Sequence, residues 1–179
     1  MAETGVRRAR WPELDPVTLH DLVRLRIDVF VVEQNCPYPE LDGRDVDQAT
    51  EHVWLVDDRG PSSYLRILAE ADGSRRIGRV CTRADARGRG LAGVLIDAVL
   101  ADPGSGPGTD PDENPGNGEA NAVTFVLDAQ TYVAGFYATR GFVVSGPEFV
   151  EDGIPHVPMR RTGLARASLG RDHARPHHP

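Results

Sequence analysis

The chain of 179 residues contains no lysine, and all 20 of its basic residues are arginine. It therefore has no ε-amine that could be modified, and no lysine to complete a nucleotide-binding P-loop. Cysteine is almost as scarce. Cys36 and Cys81 have no partner Cys or His at metal-ligand spacing, which excludes a disulfide framework and a zinc module, so reduced thiols and no metal are expected. No apolar run approaches the roughly 20 residues of a membrane helix. The first residues carry Arg7, Arg8 and Arg10 with no apolar stretch behind them, unlike a secretory signal, so a cytoplasmic location and no membrane partner are expected. A net charge of −7 argues against nucleic acid, whose binding depends on clustered positive charge.

What is present fits one domain over 15–162 with tails on either side, 1–14 and 163–179. From Pro16 to Glu33, apolar residues recur at spacings of three and four behind Asp15, which predicts a capped amphipathic helix. Gln34 to Thr50, with Pro37, Pro39 and Gly43, reads as a loop. Strands are predicted at His52–Val56, Ser63–Ala69 and Ile77–Thr82, joined by turn chemistry that suits antiparallel hairpins. A helix follows from near Gly90. Residues 102–121 are Gly, Pro and polar residues and read as a flexible insertion. Val123–Leu127 reads as a buried strand, parallel to the one ending at Thr82 because a helix joins them. A short helix from Tyr132 to Arg140 ends at Gly141, and strands at Phe142–Val150 and Pro155–Arg160 flank the turn Glu151-Asp152-Gly153. The tail beyond Thr162 has no periodicity and is expected to be disordered, its histidines solvated.

The chemistry is concentrated in Arg87-Gly88-Arg89-Gly90-Leu91-Ala92. A glycine-rich turn from strand to helix presents backbone N–H groups unobstructed, and the helix's first-turn donors add to them, which suits a pyrophosphate. The turn lacks the Lys-Ser/Thr ending of a P-loop and the Gly-x-Gly-x-x-Gly order of a dinucleotide fold. Taken alone, it could equally be a glycine-softened helix start with solvated arginines.

Arg87, Gly90 and Ala92 meet an Arg/Gln-x-x-Gly-x-Gly/Ala signature, and Phe136-Tyr137-Ala138-Thr139-Arg140-Gly141-Phe142 follows at about 45 residues. In these segments the chain resembles the GNAT N-acetyltransferase superfamily. Val29 to Tyr38, Asp42-Gly43 and Glu151 to His156 resemble its ElaA-like branch. The resemblance runs from about Leu19 to Met159, and the long 102–121 insertion departs from it.

The resemblance implies an α/β (α+β) GNAT fold: a mixed central sheet of about six to seven strands, flanking helices and a splayed parallel strand pair. It implies acetyl-CoA as cosubstrate, held by Val80, Cys81, Thr82 and the turn Arg87, Gly88, Arg89, Gly90, Leu91 and Ala92, and an amine acceptor that attacks the thioester directly. Tyr137 would protonate the leaving thiolate, or else pack against Phe136 and Phe142. Glu33 is the first choice of base, with His52, Glu151 and His156 as alternatives. Tyr38, Asp42, Asp45, His52, Glu151 and His156 are candidates for the acceptor pocket, although solvated loop residues would look the same. Acids are dense in Glu33–Asp47 and Glu148–Asp152, which suggests a cationic acceptor. The sequence allows a homodimer without requiring one. The rival reading is a catalytically weak acyl-CoA-binding or interaction module on the same fold.

Overall fold

The computed structural model describes residues 5–103 and 122–164. The expectations for 104–121 and 165–179 lie outside these residues. Eight strands form one mixed sheet in the order β1-β2-β3-β4-β5-β8-β6, with β7 paired to β8. The strands are β1 Arg7–Arg10, β2 Glu51–Asp57, β3 Gly60–Ala69, β4 Arg75–Thr82, β5 Ala122–Gln130, β6 Val143–Val144, β7 Phe149–Glu151 and β8 Ile154–Leu164. Helices α1 Pro16–Arg26, α2 Leu91–Ala101 and α3 Ala134–Ala138 flank it. Only β4 and β5 run parallel, as the α2 crossover requires.

Alternation along the strands sorts side chains onto two faces. Val53, Leu55, Leu65, Ile67, Phe125 and Leu127 pack with Leu95, Ile96 and Val99 of α2. Trp54 and Tyr64 turn the other way, to Leu22 and Leu25 of α1. No helix among the described residues is long and apolar enough to cross a membrane.

The structure departs from the sequence reading in three places. The segment 1–14, expected as a tail, contributes β1, which pairs with β2 from Arg7↔Trp54 to Arg10↔Glu51 and brings Arg8 Nε within 3.0 Å of the Glu51 carboxylate. The predicted helix Pro16–Glu33 is α-helical only to Arg26. Asp15 caps it as expected, its Oδ1 accepting from the N–H groups of Val17 and Thr18, each at 3.0 Å. Ile27–Glu33 then widens into a π-helix. The predicted strand Phe142–Val150 is broken between β6 and β7; Gly146 lies there, so close to Pro158 that a Cβ would meet the ring at 2.9 Å. The turn Asp152-Gly153, with φ of +49° and +79°, closes the β7–β8 hairpin as the sequence indicated.

The loop between α1 and β2 is held by buried arginines. Arg26, 1% exposed, donates through Nε to Glu40 at 2.5 Å and through Nη1 to Asp45 at 2.7 Å. Arg66 of β3 grips Asp42 with both Nη atoms, at 2.8 and 2.6 Å, and reaches Asp45 at 2.9 Å. Although burial opposes ionisation of Asp45, the hydrogen bonds and charges of the two arginines hold its carboxyl below the usual range. Replacing Arg26 by Met would leave Glu40 and Asp45 buried without their main partner, and urea unfolding should show a loss of about 3–5 kcal/mol near neutral pH. The stability Asp45 gains from its lowered pKa is complete above the unfolded carboxylate value of about 3.9 and is lost as pH falls through the lower folded value. The gap between parent and variant should therefore narrow in acid.

Candidate active site

Strands β4 and β5 pair only at Arg75↔Phe125 and Arg76↔Val126. Beyond Arg76 they part, while β5 stays paired with β8 as far as Gln130↔His156. The edge of β4 from Ile77 to Thr82, including Val80, Cys81 and Thr82, is thus left open toward β5. Its other edge is fixed to β3 through Tyr64↔Cys81 and Ser63↔Thr82, and Ser63 Oγ donates to the Cys81 carbonyl at 3.0 Å.

A bulge marks where the strands part. Tyr64 pairs with Cys81 but Arg66 pairs with Gly78, so β4 holds one residue more than β3 in this span. Arg79 has a φ of +54°. In a regular strand Ile77 and Cys81 would share a face, yet Ile77 joins the α2 core and Cys81 the α1 core; an extra residue has this effect.

Beyond Thr82 the chain enters the glycine turn. Gly88 and Gly90 have φ of +75° and +72°, and an added Cβ at either would meet nothing within 4 Å. The glycines are needed for the left-handed backbone, and the turn faces open space. Helix α2 begins at Leu91 with no side-chain cap and no acid in its first turn, so within the helix itself nothing anionic meets its terminal N–H groups and dipole. Leu91 itself packs into the core, so Ala92 and the backbone form the open part. Among the described residues, Arg89 has a carboxylate oxygen of Asp57 at 3.9 Å.

Arg87 and Glu33, given separate roles by the sequence, form one bidentate pair at 2.8 and 2.7 Å, with Arg87 Nε donating to the Thr82 carbonyl at 3.0 Å. The pair joins the end of the π-helix to the glycine turn. The hydrogen bond from Arg87 holds the Glu33 carboxyl below its usual range, which makes it a poor proton acceptor in this arrangement.

Tyr137 on α3 is 7% exposed. It packs edge-to-face on Phe136 at 5.0 Å and Phe142 at 5.9 Å, and burial pushes its phenol up to about 12. Its contacts with Phe136 and Phe142 are those of the packing reading.

The acceptor candidates divide. The Arg79 guanidinium lies over the Tyr38 ring, 5.5 Å from its centroid, and the Tyr38 hydroxyl donates to Glu40. Asp42 belongs to Arg66 and Asp45 is buried between Arg26 and Arg66. His52 does not face a cleft: it is 2% exposed, its Nε2 donates to the Asp45 carbonyl at 3.2 Å, and its Nδ1 accepts from the Tyr64 hydroxyl at 2.7 Å. Burial lowers its pKa. Beginning a strand placed it inside the sheet rather than at a rim. Glu151 is exposed on β7. His156 donates from Nδ1 to the Ile154 carbonyl at 2.8 Å and stacks on Phe149 at 5.8 Å, which assigns the proton to Nδ1 and the lone pair to Nε2. Cys36 Sγ donates to the Asp152 carbonyl at 3.6 Å, joining the loop to the hairpin that carries His156. The sequence reading missed Arg26, Arg66 and Arg79. Gly78 inside a strand run was the available signal for the bulge.

The acetyltransferase (GNAT) domain family matches residues 113–162. A UPF0039 protein of Mycobacterium tuberculosis is 44% identical over 163 residues, spanning 89% of this chain and 94% of the relative. Protein ElaA of Escherichia coli is 34% identical over 153 residues, spanning 83% and 90%, and its crystal structure matches with a TM-score of 0.72. The crystal structure of an acyl-CoA N-acyltransferase from Pseudomonas aeruginosa also gives a TM-score of 0.72, at 32% identity over 88% of this chain and 99% of its own. With the splayed parallel pair, the open glycine turn and relatives that match along most of their length, the chain belongs to the GNAT acetyltransferase superfamily and to its ElaA-like family.

Proposed function

We propose that the chain transfers an acetyl group from acetyl-CoA to an amine. The observation that carries this reading is the adjacency of two open backbone surfaces, the β4 edge from Ile77 to Thr82 and the left-handed turn at the start of α2. A CoA thioester presents complementary groups: amides in its pantetheine arm and a pyrophosphate. In this reading Val80, Cys81 and Thr82 pair with the arm and point one N–H at the thioester oxygen. The N–H groups from Gly88 to Ala92, with Arg89, take the phosphates.

A neutral amine attacks the thioester carbon, the C–N bond forms, and the C–S bond breaks as Tyr137 donates to the departing sulfur. The amine's proton leaves through water. With Glu33 held by Arg87 and both His52 nitrogens engaged, Nε2 of His156 becomes the preferred acceptor. Glu33 would regain that role if the phosphates took Arg87 from it.

The acids behind the cationic-acceptor reading are mostly paired. Glu33 is held by Arg87, Glu40 by Arg26 and Arg79, Asp42 by Arg66, and Asp45 by Arg26. Glu148, Glu151 and Asp152 remain exposed, so a cationic acceptor would be drawn from the hairpin side.

CoA at 100 times its dissociation constant should stabilise the protein by about 2.7 kcal/mol, read as a rise in Tm. Gly90→Glu, which puts a carboxylate at the open turn, should lose the CoA-dependent rise, whatever its own Tm. A variant that responds like the parent would remove the phosphate assignment.

Tyr137→Phe keeps the ring packing and should slow turnover about 10²–10³-fold with CoA affinity unchanged. An unchanged rate, with chemistry rate-limiting, would leave Tyr137 a packing residue.

Release of free CoA with a panel of polyamines, aminoglycosides and peptide N-termini tests the reaction itself. If no amine accelerates release although CoA binds, the chain is an acyl-CoA-binding module. For a cationic acceptor the rate should fall with added salt, as the Debye length shrinks from about 10 Å at 0.1 M to about 3 Å at 1 M. A preferred acceptor that is neutral, with no salt dependence, would overturn the cationic reading.

A further inference from the structure

Arg79 combines an unfavourable backbone with a guanidinium set between two carboxylates and an aromatic ring. Its φ of +54° is one that L side chains avoid. Glycine, which adopts it freely, stands one position earlier at Gly78, where φ is not positive. The bulge therefore places a long charged side chain where a glycine would fit more easily. Strained residues of this kind persist when their surroundings hold them, and they concentrate at functional sites.

The surroundings of Arg79 are the loop between α1 and β2. Its Nε lies 2.8 Å from a Glu40 carboxylate oxygen and its Nη2 3.5 Å from that of Asp42, and its guanidinium covers the Tyr38 ring. Glu40 and Asp42 are fixed from behind by Arg26 and Arg66. The Arg79 side chain is 24% exposed, against the near-complete burial of Arg26 and Arg66. It is therefore the outermost of the three arginines, and the one carried by the strand whose open edge meets the thioester. Its backbone lies past Arg76↔Val126, the last β4–β5 pair, and immediately before Val80–Thr82.

We propose that Arg79 is a positioning residue that docks the segment Tyr38 to Asp42 onto β4, so that the order of the acceptor loop follows occupancy of the β4 edge. The proposal rests on the reading of that edge as the acyl-CoA site. A ligand pairing along Val80–Thr82 favours the bulged backbone that aims the guanidinium, and whatever favours that conformation also favours the docked loop. The coupling is reciprocal, so an ordered loop in turn strengthens CoA binding. Arg26 and Arg66 fix the loop in place whether or not β4 is occupied, whereas Arg79 links it to the strand's conformation.

The test compares the parent with Arg79→Gly and Arg79→Asn, both of which tolerate a left-handed backbone, and with Arg79→Lys, which keeps the charge and loses the planar fork. Hydrogen–deuterium exchange of residues 36–45 is followed with and without CoA, beside the CoA-induced change in Tm. In the parent, CoA should raise Tm and slow exchange in this segment about tenfold, within the usual range of coupling between sites. In the Gly and Asn variants the rise in Tm should persist but be smaller, as reciprocal coupling requires, while exchange in 36–45 no longer responds to CoA; Lys should restore part of the response. A merely structural role would raise exchange in the loop and leave its response to CoA intact. Equal CoA-dependent protection in parent and variants would overturn the proposal, as would a parent whose Tm rises with CoA while its loop does not respond. If CoA leaves the parent's Tm unchanged, the acyl-CoA reading of β4 fails first and the proposal falls with it.

Discussion

The extra residue in β4 between Gly78 and Cys81 is the constraint on which the site depends. Without it, β4 would continue in register with β3, Ile77 and Cys81 would share a face, and β4 could stay parallel to β5. With it, the strand changes face and bends. Beyond Arg76 the backbone groups on one edge of β4 lose their sheet partner, and unpaired backbone groups away from water are costly. The open wedge persists because β5 is held by β8 through nine pairs, as far as Gln130↔His156, and β4 by β3. The sheet is thereby firm on both sides of a gap that a ligand with amide groups can fill.

A chain whose basic residues are all arginine can use planar, bidentate pairs where lysine would offer a single point of charge. The loop between α1 and β2 shows the consequence. Arg26 and Arg66 do not balance its acids from the surface; they are buried with Glu40 and Asp45 while Asp42 stands at the rim, each of these carboxylates accepting from two or more donors. Removing a partner from such a cluster is severe, whereas an exposed pair such as Arg87 and Glu33, 43% and 44% exposed, is screened by water and contributes little. That difference separates what holds the loop from what a phosphate could displace at the turn.

These pairs also explain why some of the molecule was legible in the sequence and some was not. The parallel strands and α2 could be read because apolar period and turn chemistry are local. The glycine turn could be read because only glycine adopts Gly88 and Gly90 backbones freely. Strand β1 could not, since Arg7-Arg8-Ala9-Arg10 has no apolar alternation and is held by edge pairing and by charge contributed from β2. The loop acids and His52 were hard to read for a related reason: a sequence shows which residues can ionise but not that Glu40, Asp45 and Asp42 are already bound to arginines 14 to 24 residues away, or that His52 is closed in between Tyr64 and the Asp45 carbonyl. Arg79 was hidden inside a strand pattern, where neither its left-handed backbone nor its partners leave a local trace.

Tyr137 shows how one physical fact can answer to two readings. The contacts with Phe136 and Phe142 that make it a packing residue also remove it from water, and that removal pushes its phenol up to about 12. A phenol in that state keeps its proton at neutral pH, as a donor must. Yet a phenol that burial has pushed up gives its proton reluctantly to a free thiolate, whose ordinary value is about 8.5. Full transfer to a departed thiolate is therefore the less favourable description. In the proposed reaction the hydroxyl would act better as a fixed hydrogen-bond donor to the sulfur, where negative charge grows as the C–S bond breaks. Burial would then contribute by holding the donor in place and excluding water that would screen it, so that on this reading the packing of Tyr137 and its role as a donor are one requirement rather than two.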